Sequence, residues 1–373
     1  MRQFTVRMDD AALDDVARRL AATRWLGDDP RPPDAGASLA FARSLRDHWL
    51  HCFEWRQVED RINRHDNVIV DIDGLAIHAL LRRSSRPDAV PLLLIHGWPS
   101  SFLEFLDVCD ALAEPPADAP AFHVVVPSLP GYGFSATRPG TSPRRIATLF
   151  ADLMTGLGHD RFIVQGGNWG SSIGTELARD FPERMGGLHL NSVNGSPPPP
   201  DAGVVLSDKD QALAEIYVTL LGYPHFNLLT RAPLSVSHAM NDSPAGLAAW
   251  VGEKLRDWAD TAMPGNPGLS LDWMVATAAL YWFTGTVASS HMLYREAVLD
   301  PAPERYVNVP TAVAHFARET VIVPRPWAER HYNIRRWTEY ARGGHYAAVE
   351  VPDEFVADLR GFASMLCASA NPG

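Results

Sequence analysis

The sequence predicts an α/β fold: a mostly parallel central sheet, a helical cap inserted into it, and a helical extension at the N-terminus. Three observations carry this. Short continuous apolar runs at Val90–Ile95, His123–Val126, Phe162–Val164 and Gly187–Asn191 alternate with helical stretches. Such runs suit strands buried on both faces. The alternation breaks between 196 and 305, where the pattern is helical, and strand signals resume at Thr311–His315 and Arg336–Arg342. Ahead of the first strand, residues 1–65 also read as helical.

The elements follow in order. Asp9 and Asp10 open a helix where its dipole favours acids, and Leu13, Val16 and Leu20 form its apolar stripe. Residues 28–37 are rich in Asp, Pro and Gly and read as a loop. A second helix carries Leu39, Phe41, Leu45, Trp49 and Leu50. Asn67–Ile72 and Leu75–Leu81, joined by Asp73-Gly74, make a hairpin. Ile146, Leu149, Phe150, Leu153, Met154 and Leu157 place a helix over 143–158, with Gly158 as its stop. Ser196-Pro197-Pro198-Pro199-Pro200-Asp201 ends the first run of strands and helices. The helical region beyond it is punctuated by Pro and Gly at 263–268, and an amphipathic helix over Asp353–Cys367 closes the chain. The expected division is 1–65 extension, 66–195 first part of the core, 196–305 cap, and 306–373 second part of the core.

A chain of 373 residues accommodates such a decorated core without a second one. Its net charge of −11 and lack of a basic stripe argue against a nucleic-acid partner. Cys52, Cys109 and Cys367 are odd in number and scattered, so a reducing compartment is expected. The segment Met1–Arg7 has no apolar targeting core, and no run is long enough to span a bilayer. A cytoplasmic protein without a membrane anchor follows as the expectation. No metal is expected, since His48 and His51 lack a third ligand nearby.

Chemistry concentrates at Gly166-Gly167-Asn168-Trp169-Gly170, which follows the strand Phe162–Val164. A strand running into Gly-x-Nuc-x-Gly is the nucleophile elbow of the α/β-hydrolase fold. This elbow accounts for the glycines, which therefore make no dinucleotide fingerprint. In the chain order nucleophile, acid, histidine come Asn168, Glu319 after the strand at 311–315, and His345 within Gly343-Gly344-His345. Glu319 could orient His345 as a base; its plain alternative is a solvated carboxylate beside Arg318. His96-Gly97-Trp98-Pro99 follows the strand Leu92–Ile95. Its Trp98 N–H, with the Trp169 N–H, could form an oxyanion hole.

These motifs resemble the microsomal and juvenile-hormone type epoxide hydrolases. The resemblance spans nearly the whole chain. It includes the N-terminal extension, His96–Pro99, Pro127–Ser135, the elbow, Asn241–Ala249, Tyr281-Trp282-Phe283-Thr284-Gly285-Thr286 and Gly343–His345. It implies a helical cap whose two tyrosines hydrogen-bond the epoxide oxygen, with Tyr294 and Tyr223 in matching segments. It also implies substrate contacts from Trp98, Pro99, Trp169 and Tyr281, a small hydrophobic epoxide as partner, and no cofactor. A homodimer is left open.

The chain departs from that family at the apex, where the family has Asp and this chain has Asn168. An aspartate attacks an epoxide carbon and forms an ester, which a His–Glu-activated water cleaves. An amide is a poor nucleophile. An introduced substitution and a natural divergence both fit, and so does a binding-only homologue. An esterase is disfavoured, because Ser171 and Ser172 follow the apex rather than occupy it. A haloalkane dehalogenase would also need Asp at the apex.

Overall fold

The computed structural model describes residues 1–27, 35–199, 204–220, 222–261 and 269–370. The Pro/Gly punctuation at 263–268, most of the loop expected at 28–37, and positions 200 and 201 of the proline run lie outside them.

Nine strands form one sheet in the order β1-β2-β3-β5-β4-β6-β7-β8-β9. In chain order these are β1 (Arg2–Gln3), β2 (Asp66–Ile72), β3 (Leu75–Arg82), β4 (Val90–Ile95), β5 (Phe122–Pro127), β6 (Phe162–Gly166), β7 (Met185–Leu190), β8 (Val307–Phe316) and β9 (Tyr332–Tyr340). From β5 through β9 all neighbours are parallel. The hairpin β2–β3 and the short β1 add antiparallel strands at one edge. Asp73 and Gly74 both adopt positive φ in the hairpin turn, as Asp-Gly permits.

The parallel strands read as continuous apolar runs because helices cover both faces. Helices Leu106–Ala113 and Pro352–Ala370 pack together on the sheet, as do Pro143–Gly156 and Trp169–Asp180. Leu92, Leu93, Leu94 and Ile95 of β4 are fully buried between them. The helix expected over 143–158 ends at Gly156. Gly158 follows at φ +88°, with its N–H on Thr155 O and that of His159 on Met154 O. The strand expected at 336–342 runs from Tyr332 to Tyr340, which leaves Arg342–His345 free to turn back over the sheet.

Between β7 and β8 the described chain is helical: Asp208–Leu220, Pro224–Arg231, Pro233–Asp242, Pro244–Trp258, Leu271–Thr284 and Val287–Leu299. Helix Leu271–Thr284 is apolar nearly all round, and Trp273 through Tyr281 are all buried. One partner covering it comes from the N-terminal segment, whose helices Leu39–His51 and Trp55–Ile62 both pack against it. That segment is not purely helical, as Arg2 and Gln3 pair with Ile69 and Val68. Two residues are too few to show strand periodicity in the sequence. Buried Glu59 ties the segment together by accepting from Met8 N–H, Trp55 Nε1–H and Arg56.

Candidate active site

Four loops at the carboxyl ends of β4, β6, β8 and β9 converge beneath the cap, where open α/β sheets place their ligands. The loop after β6 is the tightest. A Cβ on Gly166 would lie 2.3 Å from Gly170 O, and one on Gly170 would lie 1.9 Å from Ile95 O. Only glycine allows the helix Trp169–Asp180 to start this close to β4. The apex residue Asn168 has φ +51° and ψ −126°, a strained conformation for a residue with a side chain. That turn pushes its side chain out over the sheet.

The Asn168 amide is held at both ends. Its Oδ1 accepts from Trp98 N–H at 3.0 Å and from Trp169 N–H at 2.7 Å. Two donors facing one atom fix which end of the amide is oxygen. Its Nδ2 lies 2.9 Å from His345 Nε2. Gly97 makes room, since a Cβ there would sit 2.2 Å from Oδ1. The two N–H groups expected to form an oxyanion hole, those of Trp98 and Trp169, therefore both donate to the side-chain carbonyl of the apex residue.

His345 and Glu319 also meet. Nδ1 of His345 is 2.7 Å from Glu319 Oε1, and both side chains are almost fully buried. Glu319 is thus not a solvated carboxylate. It also accepts from Val321 N–H at 2.7 Å and Ser192 Oγ–H at 2.9 Å. Ser192 in turn accepts the Asn168 N–H at 3.1 Å, linking acid and apex. With Nδ1–H directed at Glu319, the Nε2 lone pair faces residue 168. Burial works against a charged His345. Glu319 beside it, with Glu104 and Glu350 nearby, outweighs burial and leaves the imidazole above its ordinary pKa.

The cap fixes the histidine loop. His345 N–H donates to Trp258 O at 3.0 Å, and a Cβ on Gly344 would meet that oxygen at 2.7 Å. Gly343 takes φ +91° and donates to Asp260 Oδ2 at 3.0 Å. The glycines beside the histidine therefore permit a close backbone approach, and the backbone approached belongs to the cap.

Above the amide lies a cavity of about 150 Å³, lined by Asn168, Trp169 and His345 from below and by Tyr217, Tyr223, His225, Phe226, Trp258 and Tyr294 from the cap. Tyr294 and Tyr223 thus face one space. Tyr294 is buried, with its ring edge-on to Trp169 at 4.9 Å and to Trp98 at 5.7 Å. Burial pushes both phenols above their ordinary pKa, so each stays a proton donor.

Three expected substrate contacts are not in the lining. Trp98 is buried behind the wall, stacked on His225 at 5.7 Å, and serves the cavity through its backbone N–H. Pro99 does not line the cavity. Tyr281 is buried and donates to Ser100 O at 3.0 Å, bracing the cap against the loop after β4. Other residues at the site carry no signal in the sequence. His225 forms part of the wall and is held near pKa 3 by burial and by Lys254. Half-buried Glu104, in the turn Phe102–Phe105, has its carboxyl pushed up to about 7 by desolvation. Ser192 shows itself only as a polar residue just beyond β7.

The tight strand-to-helix turn at residue 168, two loop N–H groups converging on its side chain and a buried His–Glu pair lie where the α/β-hydrolase fold carries its active site. Comparison narrows the class. The family described as epoxide hydrolase N terminus matches residues 1–105, and the alpha/beta hydrolase fold matches 90–248. Epoxide hydrolase 1 of Sus scrofa is 32% identical over 98% of this chain and 89% of its own length. A Stigmatella aurantiaca protein provisionally called an epoxide hydrolase is 38% identical over 96% of this chain and 83% of its own. The Aspergillus niger epoxide hydrolase structure superposes with a TM-score of 0.89 at 31% identity, covering 98% of this chain and 96% of that one. The chain belongs to the epoxide hydrolase family.

Proposed function

We propose that this chain adds water to a small hydrophobic epoxide to give a vicinal diol, with residue 168 as the point of attack. One observation carries the reading: the side-chain carbonyl of residue 168 sits in the oxyanion hole while its other atom faces the His345–Glu319 pair. With a carboxylate at that position, one oxygen would hold that place and the other would reach an epoxide carbon beneath the cap. Tyr294 and Tyr223 would donate to the opening epoxide oxygen as charge develops on it. The resulting ester would present its carbonyl carbon to a water activated by His345, with Trp98 and Trp169 N–H groups stabilising the oxyanion. This chemistry needs no cofactor. The aromatic lining from Tyr217, Phe226, Trp258 and Trp169 favours an apolar substituent on the epoxide.

Asn168 supports a second reading, a homologue that binds the epoxide without opening it. The amide nitrogen lone pair is delocalised and its N–H faces the base, so the covalent step stops. Turnover of an aryl epoxide by this chain and by its Asn168→Asp form separates the two. The first reading expects the Asp form to produce diol at a rate well above that of a chain whose residue 168 is still an amide. A folded Asp form that binds the epoxide but yields no diol would leave the binding-only reading standing.

We place the protein in the cytosol. Cys52 and Cys367 are exposed and free, which suits a reducing compartment. No helix among the described residues is long and apolar enough to cross a membrane.

A further inference from the structure

The geometry points to a second reaction at the elbow: we infer that His345 and Glu319 hydrolyse the Asn168 side chain, so that the protein makes its own aspartate nucleophile. The inference shares the His345–Glu319 base with the proposed function but does not depend on any epoxide.

The amide is posed as a substrate. Its carbonyl oxygen accepts two backbone N–H groups, at 3.0 Å from Trp98 and 2.7 Å from Trp169. Those bonds polarise the carbonyl and would tighten on the oxyanion of a tetrahedral intermediate. Its nitrogen, the leaving atom, lies 2.9 Å from His345 Nε2. The imidazole is oriented by Glu319 at 2.7 Å, which also stabilises it once charged. The cavity over Asn168 and His345 gives a water access to the face of the amide.

The step balances. Water oxygen bonds to Cγ of Asn168 while Nε2 takes one of its protons. The C–O π pair moves onto Oδ1 in the oxyanion hole. The imidazolium then returns the proton to Nδ2, the Cγ–Nδ2 bond breaks, and ammonia leaves. The new carboxylic acid gives its proton to the ammonia, so the products are an aspartate carboxylate at the apex and ammonium; no oxidant, reductant or metal takes part. A single imidazole serves as base and then as acid, because the water and the leaving nitrogen both lie within its reach. The reaction should be slow. Amides are poor electrophiles, and in the resting protein the Nε2 lone pair accepts from Nδ2–H instead of from water.

A competing route gives the same mass. The Trp169 nitrogen could close on Cγ to form a cyclic imide, which opens to a mixture of aspartate and isoaspartate. Direct hydrolysis gives aspartate alone.

The test is peptide mass spectrometry of freshly purified and aged full-length protein, with isoaspartate analysis, on the parent chain, His345→Gln and Glu319→Gln. The inference expects a gain of about one dalton at residue 168, amide replaced by acid. That gain should rise with storage, without isoaspartate, and be roughly 100-fold slower or more in His345→Gln. Glu319→Gln serves as the deciding variant if His345→Gln does not fold, and it should also retain the amide. A parent that is acid from the first measurement, with variants that stay amide, supports the inference equally. Conversion at parental rate in the folded variants, isoaspartate at the site, or an amide that persists through weeks of storage overturns it. Failure here leaves the Asn168→Asp turnover experiment untouched. Conversely, a converted but inactive chain would count against the epoxide reading alone.

Discussion

Replacing Glu319 by Gln in the Asn168→Asp form should separate the two half-reactions. Glu319 Oε1 meets His345 Nδ1 and Val321 N–H, both at 2.7 Å, while Oε2 accepts from Ser192 at 2.9 Å. A glutamine with its carbonyl oxygen in the Oε1 place keeps the first two bonds. Its NH₂ then meets Ser192, whose hydroxyl turns to accept. The imidazole stays oriented, but its counter-charge is gone. A hydrogen bond to a charged group contributes about 1.5–3 kcal/mol, which is roughly 10- to 150-fold in rate. The amide-for-carboxylate exchange in a serine-protease triad costs about 10⁴-fold, which sets the upper end. Ester hydrolysis should therefore fall by roughly 10- to 10⁴-fold. Attack on the epoxide uses the carboxylate of residue 168 and the cap tyrosines, so it should fall less than about tenfold. Rapid quench with intact-mass detection would then show the ester accumulating on the enzyme. The pH profile gives a second readout. His345 lies above its ordinary value of 6.5, and the neutral imidazole is the base. Ester hydrolysis should fall as pH drops through that raised value, and Glu319→Gln should move the fall to lower pH. Equal slowing of both steps, or undiminished ester hydrolysis, refutes the assignment of Glu319.

Tyr294→Phe in the Asn168→Asp form should slow epoxide opening by roughly 10- to 1000-fold and spare ester hydrolysis, read by the same quench experiment; unchanged opening removes Tyr294 from the mechanism. Stability should fall on acidification. His78 is fully buried against Ser128 and Asn67, and desolvation holds it near pKa 3 against an ordinary 6.5. Its neutral form contributes stability above pH 6.5 that is lost as pH falls towards 3, about 2 kcal/mol by pH 5. His96, His225 and His291 are pushed down in the same sense; His345 and the carboxyls of Glu104 and Glu350, all pushed up, act in the opposite one. Urea unfolding at pH 7 and pH 5 measures the sum, and equal or greater stability at pH 5 contradicts it.

The elbow was legible because steric need writes itself into sequence: Gly166 and Gly170 have no room for a Cβ. His345 was legible for the same reason, since Gly344 must admit the cap backbone at 2.7 Å. Glu319 was harder. Beyond the neighbouring Val321 N–H, its buried carboxylate is satisfied by Ser192 and His345, which come from other loops and leave no local pattern. Tyr281 misled because a motif says where a residue falls in the chain and not which way its hydroxyl points; here it points at Ser100. The stacking of Trp98 on His225 joins residues more than a hundred positions apart, and no periodicity reports it. The two-residue strand Arg2–Gln3 is invisible for the opposite reason, being too short to have a period.

The central claim is that residue 168 attacks the epoxide and that water attacks residue 168. A single turnover of the Asn168→Asp form in ¹⁸O-labelled water, with enzyme in excess over an aryl epoxide, tests it directly. The oxygen added to the first diol should come unlabelled from the residue 168 carboxylate, and the label should appear in the enzyme peptide that carries residue 168. Label in the first diol and none in that peptide would mean that a His345-activated water opens the epoxide itself, and the covalent account would be wrong.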